Sequence, residues 1–275
     1  RQAWVAQGRK IRVLGADLTR VRCQRESLVV GVVVDDITGI ELSVDILDDE
    51  SADTMTSWLR EVADLVGAEV LTTDDADAFK IAVDELGLDQ QICRGHVTSN
   101  VLDRVAELTT QALENPDPVP PQLADGPEQL ADGSEQLTIG PEQLVGDLQT
   151  IQRIIEGHPH DGEQQLAALY ERYCFAPAPQ EGEKATMWYR TRLLALHLWD
   201  NWARLTLYLR WQGADGERID GTNNACERAI GWNVKERYRS MRGYKRQQSV
   251  LNVSTLLGWL GDQSASYDLC QLVAV

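Results

Sequence analysis

The 275-residue chain predicts a mixed α/β fold: a sheet covered by helices and interrupted by an all-helical stretch. Three observations carry this expectation. The β-branched run at 28–34 (LVVGVVV) and the alternating run at 40–47 are both strand-like. Short apolar runs and helical periods then alternate up to residue 93. From 151 to 211 the spacing of apolar residues is helical throughout.

Taken in order, residues 11–18 are a short apolar run that enters Asp17. The run 28–34 is continuous, as a strand buried on both faces would be. Asp35, Asp36, Thr38 and Gly39 carry turn chemistry. Residues 40–47 alternate as a strand with one wet face does. Together these make a three-stranded antiparallel meander. Ser51 stands where a helix N-cap would, and the helical period runs to Val66 before Gly67. Residues 69–73 form a short strand ending at Asp74 and Asp75. Residues 76–86 form a second helix stopped by Gly87, and 90–93 a fifth strand. The order β-β-β-α-β-α-β predicts a mixed sheet with helices on its faces.

The middle differs. Residues 122–149 repeat with period seven: QLADGPE, QLADGSE, QLTIGPE, QLVGDLQ. One Leu per heptad makes no coiled-coil seam, and the Gly and Pro residues interrupt a helix. The stretch reads as an acidic linker. Beyond it, Trp188, Leu194, Leu198, Trp202 and Leu205 form a stripe at helical spacing, read as helix core before a base-stacking platform. Residues 213–221 are a turn-rich break, after which Thr222 or Asn223 is placed to cap a helix containing Glu227. Residues 249–260 read as a last helix. The organisation expected is a core begun by 10–100, a helical insertion over 101–215 holding the linker 122–149, and completion of the core by 216–262.

The charge is uneven. The net charge is −17, with 21 Arg, five Lys and 24 Asp. Such acidic, Lys-poor composition is one that halophiles use for solubility. Residues 35–150 hold 27 acidic and four basic residues. Yet residues 1–25 hold seven basic residues and one acid, Asp17, and residues 228–246 hold seven and one, Glu236. A uniformly acidic surface repels nucleic acid; two basic stretches brought together would bind phosphate. No apolar run reaches the roughly 18–20 residues of a membrane helix, and no basic-then-apolar signal segment opens the chain. The five Cys are scattered and odd in number, which points to a reducing, cytoplasmic setting and no membrane.

Three carboxylates stand out by context. Asp17 follows an apolar run inside a basic stretch, Asp74 ends a short strand, and Glu227 lies beside Arg228 in the second basic stretch. Two strand-borne Asp and one helix-borne Glu can hold two Mg²⁺ ions roughly 3.5–4 Å apart, which suits phosphodiester chemistry. Asp75 is the rival for the second position, with Asp77 behind it.

The stretches VLGADLTRV, EVLTTDDADAFKIAVDELGLDQQICRGHV and GTNNACERAIGWNVKERYRSMRGYK together resemble a DDE-type transposase with an RNase H-like core, of the insertion-sequence and Mutator-like kind. The resemblance spans most of the chain outside the repeat. It implies that Asp17, Asp74 and Glu227 are catalytic ligands of two Mg²⁺ or Mn²⁺ ions. It implies an all-helical insertion before the Glu, and metal-dependent cleavage and strand transfer at the ends of a transposable element, as in DNA recombination. Cys93 and His96 match its Cys-x-x-His pattern after the fifth strand and take a supporting role; a zinc site would need further ligands. Arg228, Lys235, Arg237, Arg239, Arg242, Lys245 and Arg246 become a DNA backbone track. DNA and a second copy of the chain, as a homodimer on paired ends, are the partners implied. No helix-turn-helix or paired-Cys module precedes Asp17, so a truncated, non-catalytic DNA-binding remnant is one alternative. An RNase H-like nuclease is the other.

Overall fold

The computed structural model describes residues 10–124, 139–240 and 243–266. Two units emerge from its internal contacts: Arg1–Arg94 with Arg204–Val275, and Gly95–Ala203.

In the first unit five strands, β1 (Val13–Cys23), β2 (Glu26–Asp35), β3 (Glu41–Leu47), β4 (Val70–Thr73) and β5 (Asp89–Ile92), form one sheet in the order β3-β2-β1-β4-β5. β1, β2 and β3 pair antiparallel, and β4 and β5 continue the sheet in parallel. This mixed sheet is compatible with the RNase H-like expectation. β1 outruns its apolar segment. Past Leu18 its residues alternate, with Val21 and Cys23 buried and Arg20 and Arg22 exposed, so pairing with β2 continues to Cys23. Asp17 therefore lies within a strand, not at its end.

Helices cover both faces. On one, α1 (Ala52–Val66) and α2 (Asp77–Leu86) bury Met55, Leu59, Val62, Phe79 and Val83 against Leu14, Ala16 and Val33. Ser51 caps α1 as expected, accepting from Thr54 N at 3.3 Å, and Gly67 closes it at φ 69°. The Trp58 ring packs against Gly31, where a Cβ would stand 2.5 Å from it, and its Nε1 donates to Asp45 Oδ2 at 3.1 Å. Hence β2 carries glycine mid-strand despite its conformational cost.

The second unit is helical among the described residues: α3 (Arg94–Glu114, starting at the seam), α4 (Pro121–Ala124), α5 (Pro141–Gly157), α6 (Gly162–Tyr173), α7 (Met187–Asp200) and, at its other seam, α8 (Trp202–Leu205). Trp188, Leu194, Leu198, Trp202 and Leu205 are all buried, so the stripe is core. Residues 125–138 of the heptad repeat lie outside the described residues. Its last unit does not behave as a linker. Residues 143–149 belong to α5, begun by Pro141 at a first-turn position that proline suits. This unit lacks proline, and Leu144, Leu148, Ile151 and Ile155 repeat at helical spacing and are buried.

The chain returns to the first unit through α9 (Leu207–Arg210). It then covers the second face of the sheet with α10 (Asn224–Ala229), a π-helical turn (Ile230–Lys235), α11 (Glu236–Ser240) and α12 (Gln247–Ser266). Val30, Val32 and Val34 of β2 meet Ala225, Cys226, Ala229, Ile230 and Val234 there. The wide turn is held by side chains: Ser254 Oγ donates to Asn233 O at 3.1 Å, and Tyr244 Oη to Val234 O at 3.4 Å. Asn233 Nδ2 donates to Glu41 Oε2 at 2.8 Å.

Burial raises the Glu41 carboxyl from 4.5 to about 7, against the lowering effect of that hydrogen bond. A carboxylate raised on folding contributes stability that is complete below its unfolded pKa and is lost as pH rises through the folded one. Glu41→Gln keeps the acceptor for Asn233 and removes the titration. It should raise stability at pH 8 by about 1–2 kcal/mol, with the gap to wild type closing between pH 7 and 4.5, read by denaturant unfolding across pH.

Candidate functional site

β1 alternates between the two cores. Leu14, Ala16 and Leu18 turn to α1 and α2, whereas Val21 and Cys23 turn to α10 and the π turn. Gly15 and Asp17 share the second parity and so face α10. The parallel register pairs Gly15 with Thr72. Carried two residues on, it brings Asp17 level with Asp74, the first residue after β4. Both are half-buried, and both touch a cavity of about 260 Å³ whose other walls, among them Leu18, Met55, Ala78 and Phe79, belong to the α1–α2 side; Glu227 is not part of its lining. Asp17 Oδ1 accepts from Leu18 N at 2.7 Å and Asp74 Oδ1 from Ala76 N at 3.1 Å, so backbone amides orient both carboxylates. Asp75 is turned aside: its Oδ1 lies 2.8 Å from Lys80 Nζ, which also reaches Asp77 at 3.2 Å.

Glu227 comes from the opposite layer. It sits exposed in the first turn of α10, with its N–H on Asn223 O at 3.0 Å. A Glu227 carboxylate oxygen and the buried Cys93 sulfur lie within 4.8 Å of one another. The neighbouring Cys226 is fully buried and donates to Val32 O at 3.3 Å. Burial pushes its thiol well above the usual value, and the charges of Asp17, Asp36, Glu41 and Glu227 push it the same way.

Asn223 ties this layer to the sheet. By sequence, it and Thr222 are both candidates for the helix cap. Asn223 is at the N-cap, but its side chain makes no capping bond. Fully buried, it donates from Nδ2 to Ala16 O at 2.9 Å, and its N–H donates to Cys93 Sγ at 3.3 Å. Thr222 is taken by Asp220, whose Oδ1 accepts from both its N–H and its hydroxyl. Asn223 thus joins the start of α10 to β1 through its side-chain amide and to the residue after β5 through its backbone N–H, as a buried polar residue must satisfy its donors. Cys93 is the sulfur acceptor in this joint. His96 lies three residues on, in the first turn of α3.

Asp36 is a functional-site neighbour that sequence reasoning took for part of a turn. The turn is made by Asp35, whose carboxylate accepts from Ile37 N at 3.0 Å and Thr38 Oγ1 at 2.6 Å. Asp36 instead turns under α10 and accepts from Thr72 Oγ1 at 2.9 Å. Its one sequence signal is a second Asp directly behind a buried strand.

The basic run forms an exposed rim. Arg228, Lys235, Arg237, Arg239, Lys245 and Arg246 are all exposed, and Trp232, 71% exposed, stands among them on the π turn. Arg242 lies outside the described residues. The end of the run is anchored to the sheet: Gln24 N donates to Tyr244 O at 3.2 Å and Gln24 Nε2 to Lys245 O at 2.8 Å.

By donor chemistry, Asp17, Asp74 and Glu227 fit a hard divalent cation, since Mg²⁺ and Mn²⁺ take carboxylate oxygens. Cys93, a soft donor, is engaged in the fold.

No protein-family model matches the chain, and no curated protein matches it in sequence. Among solved structures, it is similar to the HTLV-2 integrase catalytic core domain in complex with magnesium (dimeric form), at 15% identity and a TM-score of 0.28, over 39% of this chain and 78% of that one. Among the described residues, no helix is long and apolar enough to cross a membrane.

Proposed function

We propose that this chain is a metal-dependent DNA transferase of the DDE transposase type, cutting and joining DNA at the ends of a mobile element. The observation that supports the reading is the β1–β4 register, which sets Asp17 level with Asp74, while Asn223 ties the helix that carries Glu227 to β1. Asp17 lies within β1, Asp74 directly follows β4, and both touch one cavity. Asp17, Asp74 and Glu227 would hold one or two Mg²⁺ or Mn²⁺ ions, which when bound activate an attacking oxygen and neutralise phosphate charge. The chain's own part is positioning. Asn223 holds the start of the Glu227 helix on β1, the Leu18 and Ala76 amides aim the two Asp, and the exposed basic rim takes the DNA backbone. Paired ends would be served by two copies of the chain.

The test is nicking and strand transfer on DNA carrying the element's ends, with Mg²⁺ or Mn²⁺ against EDTA, over a range of salt. Cation-dependent nicking with joining supports the transferase. Nicking without joining leaves an RNase H-like nuclease, and no nicking by folded protein at any salt removes the enzyme reading.

The rim makes a separate expectation. Lys235→Ala with Arg239→Ala should weaken binding to all DNA sequences alike. It should also lower the slope of log affinity against log salt by about 2, one per lost phosphate contact, in a fluorescence-anisotropy titration. An unchanged slope places the DNA elsewhere.

A further inference from the structure

Two buried oxygens without a hydrogen-bond partner approach the same point of β1 beside the candidate site: Asp36 Oδ1 and Asn223 Oδ1. Both press on the same point of β1. A Cβ on Gly15 would stand 3.1 Å from the first and 3.0 Å from the second. The Asn223 amide has a defined orientation, because only its nitrogen can donate to Ala16 O. The Asp36 carboxyl is likewise oriented, with Oδ2 accepting from Thr72 Oγ1. What remains on each group is one buried acceptor oxygen, and both lie about 3 Å from the same point over Gly15. Such a pair is costly unless a hydrogen lies between them. Of the two groups, only the carboxyl can carry it.

We propose that Asp36 is a neutral carboxylic acid whose Oδ1–H donates to Asn223 Oδ1, pinning the start of α10 to the end of β2 and so positioning Glu227. Asp36 touches no reacting atom; it is a positioning residue, and its effect on catalysis rests on the proposed role of Glu227.

The surroundings agree. Burial raises the Asp36 carboxyl from 3.8 to about 6. The Thr72 hydroxyl on β4 opposes the rise, the negative charges of Asp220 before α10 and Asp35 on its own strand add to it, and Arg228 on α10 opposes it. Cys226, also on α10, feels the Asp36 charge and is itself held neutral by burial. A bond made only by the protonated form raises the carboxyl further. By linkage, the stability that this proton supplies is complete at low pH and is lost as pH rises through the folded-state pKa.

The experiment compares full-length wild type with Asp36→Asn and Asp36→Ala by thermal unfolding from pH 5 to pH 8. Asparagine supplies a permanent N–H to Asn223 and an oxygen to Thr72 without titrating. Its Tm should therefore equal or exceed that of wild type at pH 8, the difference shrinking towards pH 5, while alanine is lower at every pH. In the nicking assay at pH 7, alanine should lose roughly 10- to 100-fold through misplacement of Glu227, and asparagine should restore the rate. A wild-type and Asn difference that is flat across pH overturns the shared proton. So does stabilisation of wild type, but not of Asp36→Asn, by added K⁺ or Mg²⁺, which would put a cation between the oxygens. If no protein nicks DNA, the functional reading fails, yet the unfolding profiles still decide the bond.

Discussion

Asp17→Asn and Glu227→Gln should each cut Mg²⁺-dependent nicking by about 10³-fold, corresponding to about 4 kcal/mol of lost transition-state stabilisation, while the protein stays folded. Both substitutions keep the side chain's size and one acceptor oxygen. Asp17→Asn can still take the Leu18 amide, and Glu227 is exposed, so neither opens a cavity. Unfolding midpoints should therefore shift little. The adjacent aspartates supply an internal control. Asp74→Asn should fall with Asp17→Asn, since the β1–β4 register sets the two residues level. Asp75→Asn loses an ion pair to Lys80 and should keep most of the activity. Loss in Asp75→Asn with retention in Asp74→Asn would reassign the second ligand. Full activity in all four variants would remove the carboxylate site.

The parts legible in the sequence were those decided within one turn or one strand. The run 28–34 is a strand because its valines are covered on both faces, and Ser51 and Gly67 bound α1 through contacts only a few residues long. Asp17 and Asp74 stood out because each follows an apolar run, and the 57-position offset between them is the β1–β4 register. Asp36 and Asn223 were read as turn and cap, the local chemistry open to any Asp or Asn at such places. Their partners, Thr72 and Ala16, are supplied by other strands, so no local pattern announces them. The π turn escaped for a related reason. Its stabilising donors, Tyr244 and Ser254, come from further along the chain. The basic run was legible as charge, but the rim it forms depends on that turn.

Asp147→Ala should cost the helical unit about 3 kcal/mol, the largest stability loss expected here from a single side chain. Asp147 lies in the last unit of the repeat that reads as linker, yet it is 4% exposed. Its Oδ2 accepts from Tyr173 Oη at 2.7 Å, and its Oδ1 accepts from Gln143 Nε2 at 3.0 Å and from Arg172. Tyr173 is fully buried against Trp188, and burial, reinforced by the Asp147 charge, holds its hydroxyl protonated and donating. Removing the carboxylate strands that hydroxyl in the core and leaves Arg172 unpaired. The penalty should be partly relieved by Tyr173→Phe in the same chain, which deletes the orphaned donor, and this non-additivity separates the network from a simple loss of packing. Denaturant unfolding of the four proteins of the cycle measures it. Salt adds a discriminating arm. Exposed pairs such as Arg20–Glu50 are screened, whereas the buried Tyr173–Asp147 hydrogen bond is not, and only the part-exposed Arg172 arm of the network should weaken with salt. A cost that survives high salt makes Asp147 a core residue of an acidic protein. A cost under about 1 kcal/mol, or one that vanishes with salt, means the carboxylate is solvated like the rest of the acidic surface.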